Sequence, residues 1–134
     1  MKQTWKAWIA LGALNGLAAV AFGAYGAHGL ETDEQVLVAA FKTGVEYQMG
    51  HALALLAVAW MVEKRETGGG NPWLARAAGL CFVLGIVLFS GTLYVFGATG
   101  FVPVPGTAPA GGTLLMLGWA LLALSPIGGR GATR

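Results

Sequence analysis

Charge is scarce in this sequence. Only 10% of its 134 residues are Asp, Glu, Lys or Arg, against about 25% in an ordinary globular chain, so a soluble domain with a fully solvated surface is excluded. Hydrophobic residues make up 56% instead. The net charge of +2 is too small, and its basic residues are too scattered, for a nucleic-acid-binding surface. Cysteine is nearly absent as well. Cys81 stands alone, which excludes an intramolecular disulfide and a cysteine zinc cluster; within an apolar run it reads as a small core residue. Neither Gly-x-Ser-x-Gly nor His-Glu-x-x-His occurs. The glycines follow helical spacing and not a turn after a strand, so no phosphate loop or dinucleotide fingerprint is present. No cofactor is expected, and the pattern points away from an enzyme.

What the sequence does contain is long uncharged runs. At about 20 residues per crossing, the length allows about four spans and nothing left over for a soluble domain. The expected fold is all-α: a single integral membrane four-helix bundle over residues 1–134, with spans near 7–27, 36–62, 73–97 and 107–124. The basic start and the small residues around Ala24 and Gly26 also fit a cleaved signal peptide. Against that, an h-region is typically about 7 to 15 residues, and the uncharged run here is longer.

In the first span Gly12, Gly16, Ala19, Gly23 and Gly26 recur at steps of four and three, along one stripe of a helix. The stripe reads as a packing seam, because helices in lipid gain contact by close backbone approach over small residues. Asn15 lies beside it and is expected to find a polar partner on another helix. Gly29 is the expected helix stop. Thr32 and Gln35 form a capping-box pattern that starts a second helix near Asp33. Running to about Val62, that helix is longer than one crossing requires. Its first turns are expected in the interface, with Leu37 and Phe41 inward and Lys42 reaching the headgroups.

Glu63 to Glu66 followed by Thr67-Gly-Gly-Gly-Asn71 reads as a charged, glycine-rich loop, and Pro72-Trp73 opens the third helix. A Pro and Gly loop precedes the fourth helix, which ends near Leu124. The tail from Gly128 to Arg134 is expected to be mobile. With four spans, Lys2, Lys6, Lys64, Arg65, Arg76, Arg130 and Arg134 share one side, and only Lys42 falls on the other. Loops rich in Lys and Arg stay in the cytoplasm, so both termini are predicted to be cytoplasmic.

The second helix carries ionisable side chains into its middle. Tyr47 and His51 are one turn apart, as are Gln48 and His51, so three polar heads converge on one patch. Glu46 is on another face, about 140° round the helix from His51. His28, Glu46, Tyr47, Gln48, His51, Ser90 and Tyr94 make up the candidate polar site. For Glu46 the simple reading is hydration at the interface or pairing with Lys42. For His51 it is a structural bond to Asn15, Ser90 or Tyr94, and for His28 a cap. Ser90 with His51 is a conceivable nucleophile and base. A metal would need three or four ligands, and His28, Glu46 and His51 supply at most three, so no metal is assigned. A transporter or proton relay through Glu46 and His51 is the better-motivated chemical reading. The other is a scaffold that binds lipid or a membrane-protein partner, itself included, along its helix faces.

Four blocks carry a resemblance: Gly23-Ala-Tyr-Gly-Ala-His-Gly-Leu30, Tyr47-Gln-Met-Gly-His-Ala-Leu-Ala-Leu55, Ser90-Gly-Thr-Leu-Tyr94, and Pro109-Ala-Gly-Gly112 followed by Gly118-Trp119. In this order they resemble the YgdD-like family of small inner-membrane proteins, a domain family of unknown function. The departure is Gly50, where a larger, often aromatic residue is expected. The resemblance implies a four-span protein of the bacterial inner membrane and brings no reaction, substrate or partner with it.

Overall fold

Four helices hold most of residues 3–127, which are the residues described by this computed structural model. They are α1 Trp5–His28, α2 Gln35–Thr67, α3 Trp73–Thr99 and α4 Thr107–Leu124, and no strand occurs among the described residues. The tail 128–134 and Lys2 lie outside the described residues, so the expectations placed on them are not addressed.

Helix ends follow local chemistry. The α2 helix continues through the charged run to Thr67, past the apolar stretch that ends at Val62, because Glu, Lys and Arg are good helix formers even where they can no longer sit in lipid. Gly69, at φ 75°, then turns the chain, and Gly70 N–H donates back to Arg65 O at 2.8 Å, a bond that requires a left-handed residue at the turn. At the other end, Thr32 accepts the Glu34 N–H at 3.2 Å. That local turn takes the place of the expected capping box and moves the helix start to Gln35. Gly29 does stop α1, its N–H bonding Tyr25 O at 2.7 Å. Asn71 accepts the Trp73 N–H at 3.0 Å and so covers one orphan donor of α3.

The helices run up and down, α1 packing on α2, α2 on α3 and α3 on α4. At one end Thr4, Glu66 and Arg76 meet: Glu66 accepts from the Thr4 hydroxyl and from Arg76 Nη2, the latter at 2.7 Å. At the same end Arg65 donates to Ser125 O at 2.6 Å and to Pro126 O, the first two carbonyls past the end of α4. Between these contacts and mid-bundle lies the core, where Leu55, Val58, Val62, Ala78 and Phe82 are fully shielded. At the opposite end Phe22 stacks on Tyr94 at 4.4 Å between centroids, and Phe41 leans on both Tyr25 and Tyr94.

The outer surface is apolar. Leu14, Leu17, Val20, Leu53, Leu84, Val87 and Met116 are all more than half exposed. Patches on this scale are not left bare to water. All four helices are long and apolar enough to cross a membrane, and a helix satisfies its backbone internally, as hydrocarbon demands.

Candidate functional site

Gln48 is the branching point of the polar interior. Its Nε2 donates to Asn15 Oδ1 on α1 at 3.0 Å, and its Oε1 accepts from Tyr94 OH on α3 at 2.6 Å. Asn15 in turn donates to Leu11 O at 2.9 Å. Three helices are thus joined by one run of hydrogen bonds, and Asn15 has its partner on a neighbouring helix. Tyr94 reaches Gln48 because Gly44, one turn earlier, leaves room for the ring: a Cβ there would lie 2.9 Å from Tyr94 Cε1. Ser90 locks the same level by donating to Gly44 O at 2.8 Å.

His51 belongs to a second group. Its Nε2 is 3.0 Å from Trp119 Nε1 on α4, and its Nδ1 is 2.6 Å from Tyr47 O. An indole nitrogen only donates, so Nε2 must be the acceptor, and the ring proton sits on Nδ1, where it bonds the carbonyl. Both ring nitrogens are therefore occupied in the neutral tautomer. Phe82 packs against the imidazole and against Trp119, with centroids 5.5 and 5.2 Å away. Tyr47 leans on Phe89, with ring centroids 4.7 Å apart and the planes tilted by 41°, and is 44% exposed.

The seven candidate residues thus divide. Gln48 and Tyr94 share one network, His51 and Tyr47 share another, and Ser90 bonds backbone. Glu46 and His28 are exposed, away from both networks. Among the described residues no ion pair joins Glu46 to Lys42, and no three His, Cys, Asp or Glu side chains come together as a metal site. Of the small residues on α1, Gly12 and Gly26 lie against α2, where a Cβ would come within 2.8 Å of Leu56 and Phe41 respectively. Ala19 is fully buried. A Cβ at Gly23 would meet Val45 at 3.4 Å, an ordinary contact, and one at Gly16 would meet nothing within 4 Å.

Trp119 is the partner that sequence reasoning missed for His51. A tryptophan in mid-helix needs an acceptor for its N–H, and an apolar bundle offers few. The Thr4, Glu66 and Arg76 cluster was also hidden, because its members fall in segments that read as terminus, loop and helix start. Two shallow grooves open on the lipid-facing side. One, of about 300 Å³, lies between α1 and α2 along Gly23, Gly26 and Phe41, with Lys42 on its wall. The other, of about 500 Å³, is bounded by Tyr47, Phe89, Pro109 and Met116.

Fold and interior together define a multi-pass helical membrane protein whose polar side chains bind its own helices to one another. Residues 22–112 match the family described as protein of unknown function DUF423, and the chain belongs to that family. It is similar to the UPF0382 membrane protein YwdK of Bacillus subtilis, 38% identical over 85 residues, covering 63% of this chain and 66% of YwdK. A UPF0382 membrane protein of Haemophilus influenzae is 38% identical over 81 residues, 60% of each chain. The UPF0382 inner membrane protein YgdD of Escherichia coli K12 is 34% identical over 86 residues, 64% of this chain and 62% of YgdD. The matched stretch spans less than two thirds of each of these relatives. No solved structure matches the chain.

Proposed function

We propose that this protein is a membrane scaffold, a small bundle that binds lipid or a partner membrane protein along its outer helix faces. The observation that carries the reading is the saturation of His51. A relay through this imidazole needs a second proton at Nε2, the atom that already accepts the Trp119 N–H. It also needs a path to Glu46, which faces outward from a different side of α2. Gln48, Asn15 and Tyr94 are likewise spent on one another. What is left for recognition is surface: two apolar grooves and the exposed helix faces.

The test is proton flux into vesicles carrying a pH-sensitive dye, with the protein reconstituted and a potential imposed. Parent and His51→Gln vesicles are expected to leak no faster than protein-free vesicles. Flux in the parent that disappears in His51→Gln would overturn the scaffold reading in favour of the relay.

A further inference from the structure

One face of α2 is covered by no other helix of the bundle. Lys42, Glu46, Gly50, Leu53, Ala57, Trp60 and Lys64 are all exposed, and they recur at steps of four and three, a single stripe running the length of the helix. Leu53 is 61% and Trp60 54% exposed. At Gly50 a Cβ would meet nothing within 4 Å. Glycine is a poor helix former, and here it serves no contact inside the subunit, whereas between two helices it permits close approach.

The charges on the stripe identify what covers it. Counting back about 20 residues from Glu63, the length of one crossing, puts the far edge of the hydrocarbon near Lys42, with Glu46 about one turn inside. A carboxylate inside the hydrocarbon is costly, and pairing with another ionisable group is one of the ways it is met there. Lys42 and Glu46 have opposite signs one turn apart, yet they are not paired with each other or with any other described residue. Lysine placed before glutamate is the weaker order for a pair within one helix. Across a two-fold axis the same two residues are self-complementary, because an isologous contact brings each to the other's equivalent.

We propose that the protein is a two-fold symmetric dimer through the outer face of α2. Lys42 of each subunit pairs with Glu46 of the partner subunit, and the helices approach most closely at Gly50. This deepens the scaffold reading by naming a second copy of the chain as the occupant of one face, and it rests on that reading for what the dimer is for.

The experiment is disulfide cross-linking in native membranes on a Cys81→Ala background. Gly50→Cys, Leu53→Cys and Ala57→Cys chains are expected to form dimers, and Leu14→Cys and Met116→Cys, on the outer faces of α1 and α4, are not. With Leu53→Cys as reporter, K42E or E46K alone should lower the dimer fraction by about tenfold, through lost pairs and like-charge repulsion. The double charge swap should restore it. Co-expressed K42E and E46K chains should form mixed dimers in preference to either homodimer, since both cross-subunit pairs are then attractive. Equal cross-linking at all five positions, or mixed dimers no more abundant than random assortment, would overturn the proposal. Because proton flux is read separately, loss of the dimer and loss of the scaffold reading are distinguishable.

Discussion

At the scale of single residues, an amide in hydrocarbon has two polar ends to satisfy, and Gln48 satisfies them on two different helices. Interhelical hydrogen bonds in membranes average about 0.6 kcal/mol and reach about 1.7. Gln48→Leu removes two and strands Asn15 Oδ1 and the Tyr94 hydroxyl, so a loss of about 1–3 kcal/mol is expected. Tyr94→Phe removes one bond and keeps the ring stacked on Phe22, so it should cost less than half as much. Unfolding in mixed micelles measures both, and equal losses would contradict the branching role given to Gln48. The sequence exposes these residues because a polar side chain in an apolar run is conspicuous. It does not expose their pairing. His51 was expected against Asn15, Ser90 or Tyr94, and it meets Trp119 instead, because the rotation of α2 relative to α1, α3 and α4 is set by the packing of all four.

At the scale of helices, the closest approaches are made over glycine, but chiefly on α3 and α4. A Cβ at Gly111 would sit 2.4 Å from the Phe89 backbone nitrogen, and one at Gly85 2.5 Å from Leu115. Backbone cannot step aside as a flexible side chain can. Gly111→Ala is therefore expected to push α4 off α3 and destabilise the protein by about 1–3 kcal/mol. Gly16→Ala, with nothing near its Cβ, should be neutral or stabilising by up to about 1 kcal/mol from helix propensity alone. Thermal unfolding of the two variants in one detergent separates the cases, and a larger loss at Gly16 would show that α1 has a neighbour outside the subunit. The stripe on α1 was legible as a stripe, and its steps of four and three are real. Whether such a stripe faces a helix or lipid is not written in composition, since both environments are apolar. The end of α2 teaches the same distinction: the apolar run stops near Val62, while the helix itself goes on to Thr67.

At the scale of the whole molecule, four helices long and apolar enough to span were legible because uncharged runs of this length have few alternatives. Their up-and-down order follows from the short connections. Lys6, Lys64, Arg65 and Arg76 belong to the end where Thr4 and Glu66 meet, and Lys42 belongs to the other. The positive-inside rule predicts that the former end faces the cytoplasm. An Asp33→Cys chain on the Cys81→Ala background should then be labelled by a membrane-impermeant maleimide added outside, and a Thr67→Cys chain only after permeabilisation. The reverse pattern would invert the orientation. The helices also differ greatly in length. At 1.5 Å per residue, the 18 residues of α4 extend about 27 Å and the 33 of α2 about 50 Å, around a hydrocarbon layer of about 30 Å. A helix shorter than the hydrocarbon layer is accommodated by bilayer thinning, by snorkelling of flanking residues or by association, and α2 needs none of these. Mismatch of this kind sorts membrane proteins among bilayers of different thickness, and a bundle with one short and one long helix is matched by no single thickness.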